Sequence, residues 1–150
     1  MANTQAVCTS FKQELVNGHH ALGTSVVRAG TGADTFKAAL YLASATYNAA
    51  TTAYSTTNEV SGTNYTAGGV TFTWVAPATS GTTAYSTPSA SLAWTTVTLA
   101  TAFDAVLLYN STQSNKAVAV YTFGSQTVTA GNFSLTMPTN DSSTGLLRLA

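Results

Sequence analysis

The sequence predicts an all-β fold, a single-domain antiparallel β-sandwich with one short N-terminal helix, and three observations carry that prediction. Thr supplies 29 of the 150 residues, and its β-branched side chain favours the pleated conformation. Past the N-terminal stretch, apolar residues recur with a period of two rather than 3.6. Clusters of Gly, Asn and Ser separate the apolar runs at short intervals. Many short strands joined by such turns close into a sandwich, of which the jelly roll is one form, and an open barrel fits the same pattern. The length suits one domain with a real core.

The elements follow in order. Residues 1–9 are polar and lack a core pattern, so they read as an extended arm, and residues 10–150 form the sandwich. Ser10 is the expected N-cap of the helix, with Gln13 as its capping-box partner and Glu14 in the first turn. Phe11 and Leu15 lie one turn apart on one face, and Gly18 supplies the stop. In residues 35–42, Phe36, Ala38, Leu40 and Leu42 share a face. In residues 69–75, Val70, Phe72 and Trp74 do so. Residues 90–98 alternate Leu92, Trp94, Thr96 and Thr98 with Ala93, Thr95 and Val97. Residues 103–109 are almost uninterruptedly apolar, as expected of a strand buried on both faces. Val118, Val120 and Thr122 oppose Ala119, Tyr121 and Phe123, and short strands are expected at 127–128, 133–137 and 146–149. Turns are expected at 29–32, 61–64, 68–69, 80–81, 110–115, 130–132 and 140–145. The hexapeptide Thr-Thr-Ala-Tyr-Ser-Thr occurs at 51–56 and again at 82–87. Its flanks do not match, so it reads as composition bias or as two analogous loop edges.

Charge is scarce. Only 7% of the residues are Asp, Glu, Lys or Arg and the formal net charge is zero, against about a quarter charged in an ordinary soluble domain. Such a chain cannot hold itself apart from neighbours by repulsion, which points to a protein whose working state is an assembly. A disordered chain is excluded by the 45% hydrophobic content. Without a Lys/Arg excess, neither nucleic acid nor an anionic membrane is an expected partner. No apolar run is long enough for a membrane helix, and the N-terminus lacks the basic and apolar regions of a secretion signal. The matches to the glycosylation pattern at Asn64, Asn110, Asn132 and Asn140 then read as accidents of composition. The lone Cys8 allows no internal disulfide.

Catalytic constellations fail one by one. His19 and His20 are adjacent, so in an extended segment they point to opposite faces, and no spacing supplies the further ligands a metal wants. There is no Gly-x-Ser-x-Gly elbow and no phosphate-binding loop. Glu14, Asp34, Glu59, Asp104 and Asp141 are scattered singly and read as solubilising or capping acids rather than an acid/base pair. Cys8 reads as a partly buried structural thiol. The expectation is a non-enzymatic protein without catalytic residues, metal or cofactor. Four tyrosines in the Thr-rich middle, Tyr47, Tyr54, Tyr65 and Tyr85, are the candidate partner contacts, because Tyr supplies large amphipathic area.

The residues Cys8-Thr9-Ser10-Phe11-Lys12-Gln13-Glu14-Leu15, Asp34-Thr35-Phe36-Lys37-Ala38-Ala39-Leu40-Tyr41, Glu59 to Gly69, Leu108-Tyr109-Asn110-Ser111 and Ser114-Asn115-Lys116-Ala117 carry a resemblance. Over nearly its full length the chain resembles small virion structural proteins of tailed bacteriophages. By analogy with jelly-roll cement proteins, the resemblance implies a capsid decoration protein that clamps the shell by binding the major capsid protein. It implies a location on the virion after synthesis in the host cytoplasm, as a homo-oligomer, dimer or trimer. A tail- or fibre-associated adhesion module that binds a host glycan through the loop tyrosines is the alternative, and a ring-forming tail-tube or neck component a third. Residues 1–7 are the expected docking strap, removable without loss of fold.

Overall fold

The structure, a computed structural model, describes residues 2–16, 19–23 and 33–149. In chain order it contains β1 (Ala6–Val7), α1 (Thr9–Val16), β2 (Phe36–Leu42), β3 (Val70–Phe72), β4 (Ala78–Ser80), β5 (Thr83–Ser86), β6 (Leu92–Asn110), β7 (Lys116–Leu135) and β8 (Leu147–Leu149). Two antiparallel sheets result: a five-stranded one ordered β1-β7-β6-β2-β3 and a three-stranded one ordered β4-β5-β8. The fold is all-β and sandwich-like, as the Thr content and the period-two runs predict.

A hairpin of 19 and 20 residues, β6 and β7, forms the centre of the larger sheet. Its turn at 111–115 is the expected one. Elsewhere the sequence predicts two strands where β6 runs, and three with a turn at 130–132 where β7 runs. The chain instead passes straight through both, because bulges absorb the turn-prone residues. Register shows this directly. From Leu99 to Phe103 β6 advances four residues while β7 advances two; from Val97 to Leu99 and from Phe103 to Ala105 the extra residues are on β7. Ala130, at a φ of 45°, occupies one of these β7 bulges, where a kink and local twist replace a reversal.

Both faces of the central sheet are covered, which is why residues 103–109 read as a continuous apolar run. Phe36, Ala38 and Leu40 of β2 point to one side, with Val106, Leu108 and Asn110 opposite them in register. This side packs under Phe11 of α1, His20 and Trp74; the Phe36 ring meets Trp74 edge-on at 6.1 Å. Lys37, Ala39 and Tyr41 point to the other side with Ala105, Leu107 and Tyr109, beneath the long connection from β2 to β3. Tyr121 on the first side donates to the Leu146 carbonyl at 2.7 Å and ties on the entry to β8.

Three local expectations change. The helix begins at Thr9, so Ser10 lies in its first turn instead of capping it; the Ser10 hydroxyl is buried without a hydrogen-bond partner. The side chains of Gln13 and Glu14, the stop at Gly18 and the turn at 29–32 lie outside the described residues. Residues 2–8 lie along the body: Ala6 and Val7 pair with Val120 and Ala119. The Asn3 amide donates to the Leu42 carbonyl at 3.1 Å and to Asp104 at 2.7 Å, and Thr4 N–H donates to the Tyr47 carbonyl. The expected strap is thus stitched into the sheet. Finally, residues 83–86, read as loop-like, form the middle strand of the small sheet.

Candidate functional site

The connection between β2 and β3 carries three of the four predicted tyrosines and folds onto the sheet. What brings it down is a carboxylate. Glu59 Oε2 accepts from the Tyr54 hydroxyl at 2.7 Å, while Oε1 accepts from the Tyr65 hydroxyl and from Gly68 N–H, each at 2.8 Å. Tyr65 also accepts from Leu40 N–H at 3.0 Å, so one phenol bridges loop, acid and β2. The Tyr54 ring stacks on Tyr109 of β6 at 4.7 Å, and Tyr109 donates to the Gly68 carbonyl at 2.8 Å. A methyl group built on Gly68 would stand 3.1 Å from the Tyr109 oxygen, 3.8 Å from Lys37 Nζ and 4.0 Å from the Tyr54 oxygen. Lys37, Tyr54, Tyr109 and Glu59 therefore converge around one residue, Gly68.

The loop closes with two glycines. Gly69 has φ of 71°, and a Cβ there would lie 1.8 Å from the Ala38 carbonyl oxygen. Only Gly permits this approach. At the loop's far end the Tyr47 ring packs on Tyr41 with centroids 3.8 Å apart. Tyr41 donates to the Ser55 carbonyl at 2.6 Å, and Tyr47 donates to the Ser55 and Thr57 carbonyls. Burial, with the neighbouring Glu59 carboxylate adding to it, raises the phenol of Tyr109 to about 12. Burial likewise pushes Tyr41, Tyr54 and Tyr65 above the ordinary phenol range. These phenols are held neutral as donors.

Tyr54 and Tyr65 are thus brought together on Glu59, while Tyr47 packs on Tyr41 at the loop's far end; all three are half-buried, with their hydroxyls bonded within the molecule. Tyr85 stands apart on β5. It lines an apolar cavity of about 260 Å³ with Leu15, Leu22, Pro77, Leu147 and Leu149, and Leu149 is exposed. Sequence reasoning missed Glu59, Lys37, Tyr41 and Tyr109. The sequence assigns Glu59 a solubilising or capping role, and it is instead an internal acceptor. No spacing rule could have found it, since a loop has no periodicity that ties residue 59 to 54, 65 and 68.

A second polar cluster sits on the opposite face. The Asn110 side-chain oxygen accepts from Thr112 and Gln113 N–H, both at 3.1 Å. That fixes its other end as the amide nitrogen, which donates to Asp34 at 2.8 Å and approaches His20 Nδ1 at 3.0 Å. Nδ1 of His20 is therefore an acceptor in this arrangement and the ring hydrogen belongs on Nε2. His20 is buried against Phe11 while His19 is exposed, the divergence expected of adjacent residues. Among the described residues no three His, Cys, Asp or Glu side chains are grouped to hold a metal ion, and no helix is long and apolar enough to cross a membrane.

The hairpin contributes the remaining surface. From residue 60 to 103, and again from 117 to 140, there is no charged residue. On β6, Thr95, Thr96 and Thr101 are exposed, and on β7 so are Gln126, Thr127 and Ser134. The exposed surface of these stretches is hydroxyl- and amide-rich and carries no charge. No family model, no curated protein and no solved structure significantly matches this chain.

Proposed function

We propose that this chain is a non-enzymatic virion structural protein of a tailed bacteriophage that decorates and stabilises the capsid shell by binding the major capsid protein. The observation that carries the reading is the uncharged, hydroxyl-rich surface of the outer part of the β6–β7 hairpin, residues 92–103 and 117–135. Such a face hydrogen-bonds a partner without stripping water from charges, a step that costs several kcal/mol per ion. A protein that binds the assembled shell, and not its dispersed subunits, stabilises it by mass action, and many copies make weak contacts collectively effective. The locked tyrosine loop supports the same reading, because it gives a rigid body to present that face. The family resemblance of the sequence supplies the partner.

One observation favours a second reading, adhesion to a host glycan from a tail or fibre. Thr46, Tyr47, Thr51, Thr57 and Asn58 line a shallow hollow of about 230 Å³, and a half-exposed aromatic ring among hydroxyl and amide groups is sugar-binding chemistry. Copy number separates the two. Quantitative protein staining of purified virions is expected to give a copy number comparable to that of the major capsid protein. A count typical of a tail or fibre part would replace decoration with adhesion, and absence from the virion would end both readings.

A further inference from the structure

We propose that Tyr54 and Tyr109 form an oxidation site, at which a one-electron oxidant of the peroxyl-radical class joins the β2–β3 connection to β6 through a dityrosine bond. Two features set this pair apart. The Tyr54 hydroxyl donates to Glu59 Oε2 at 2.7 Å, so a carboxylate stands within reach of the proton that a phenol must lose as it gives up an electron. The Tyr54 ring also lies on the Tyr109 ring, with centroids 4.7 Å apart and planes 15° from parallel, close to the separation of two directly bonded rings. Tyr54 is half-buried and Tyr109 is buried, so an oxidant in solution meets Tyr54 first.

Other phenols lack one feature or the other. The Tyr41 and Tyr47 rings are nearer each other, at 3.8 Å. Both hydroxyls donate to backbone carbonyls, which accept a hydrogen bond but do not take up a proton. Tyr121 likewise donates to a carbonyl. Tyr65 shares Glu59 but has no ring partner among the described residues.

The first equivalent of oxidant takes one electron from Tyr54, and the hydroxyl proton passes to Glu59 and on to water. An ortho carbon of the Tyr54 radical then bonds to an ortho carbon of Tyr109. The second equivalent takes one electron from this adduct, and the Tyr109 ring sheds its ortho proton. The ortho hydrogen left on Tyr54 moves to its oxygen and restores the phenol. One C–C bond forms, two ring C–H bonds break, and each peroxyl radical gains one electron and one proton to become a hydroperoxide. Residues 54 and 109 then close a covalent loop, a constraint on the unfolded chain of the kind a disulfide imposes. No shell takes part, so this site stands or falls separately from the decoration reading.

The experiment exposes the full chain, in dilute solution, to a photogenerated one-electron oxidant, ruthenium tris-bipyridine with persulfate. Glutamate occurs only at 14 and 59, so cleavage after glutamate separates Tyr54 from Tyr109 unless they are joined. The expected product is monomeric on a denaturing gel, shows dityrosine fluorescence and yields peptides 15–59 and 60–150 as one species two hydrogens lighter than their sum. Fragmentation of that species is expected to place the link at Tyr54 and Tyr109. Glu59→Gln keeps an acceptor but removes the base, and is expected to slow the link at least about tenfold. Tyr109→Phe is expected to abolish it. A link mapped to any other pair, Tyr41 with Tyr47 above all, would overturn the proposal. So would a chain that forms no internal link, or a folded Glu59→Gln variant that links at the parent's rate. Should that variant not fold, the map of the unaltered chain and the Tyr109→Phe result decide.

Discussion

Residues 51–56 and 82–87 have the same six side chains, Thr-Thr-Ala-Tyr-Ser-Thr, and different structures. In the first copy Ala53 makes a single bridge to Lys116, and Tyr54 reaches across to Glu59 and stacks on Tyr109. Ser55 and Thr56 remain exposed. In the second copy residues 83–86 become β5, held between β4 and β8. Its last two hydroxyls are buried: Ser86 donates to the Val75 carbonyl at 2.7 Å, and Thr87 accepts from Leu146 N–H at 2.9 Å. Its Tyr85 lines an apolar cavity. Six residues with the same intrinsic propensity therefore serve as a latched loop in one place and as a central strand in the other. What differs is the partner: a carboxylate and a tyrosine in one case, two free strand edges in the other.

Alkaline pH tests this contrast most severely. Burial holds the phenols of Tyr41, Tyr54, Tyr65 and Tyr109 neutral in the folded state, Tyr109 up to about 12. In the unfolded chain they ionise near the ordinary phenol pKa of about 10. Their folded values are raised, so the stability they contribute is complete below the unfolded value and is lost as pH rises through the folded ones. Thermal denaturation is expected to show a flat melting temperature up to that point and a steep fall above it. Proteolysis is expected to cut first in the first copy's loop and not in β5.

Next in size is Glu59→Ala. It strands the Tyr54 and Tyr65 hydroxyls and Gly68 N–H together, at an expected cost of about 3 kcal/mol, since an unsatisfied buried group costs about 1–3 kcal/mol. Chemical denaturation checks it, and a loss below about 1 kcal/mol would mean water replaces the carboxylate. The same substitution in both copies gives a smaller and sharper contrast. Thr87→Val removes the acceptor of Leu146 N–H and is expected to cost about 1–2 kcal/mol. Thr56→Val, exposed, is expected to stay within about 0.5 kcal/mol of the parent. Equal losses at the two positions would erase the distinction. Smallest is the tyrosine pair: Tyr54→Phe is expected to lose about 1 kcal/mol with its bond to Glu59, and Tyr85→Phe less than about 0.5 kcal/mol.

The candidate site was partly legible. Tyr47, Tyr54 and Tyr65 stand out as aromatics in a Thr-rich stretch, and two of them, Tyr54 and Tyr65, meet at one carboxylate. The anchor of those two, Glu59, does not stand out, because its three donors come from a tyrosine before it and a tyrosine and a backbone amide after it, brought together only when the loop lies on β2. The strand ends were misread for a related reason. Ala130-Gly131-Asn132 has turn chemistry, yet pairing with β6 on one side outweighed it and turned a reversal into a bulge.

Period and composition alone led to the antiparallel sandwich, to the both-sides burial of residues 103–109 and to the uncharged surface. These are properties of side chains taken one or a few at a time, and burial alternation is a local, repeating constraint. Tertiary structure decided which of two identical hexapeptides became a strand and which lone acid became a hydrogen-bond hub. Those outcomes depend on groups far apart in the chain, whose unpaired hydrogen bonds acquire a cost only once folding has removed the water that satisfied them.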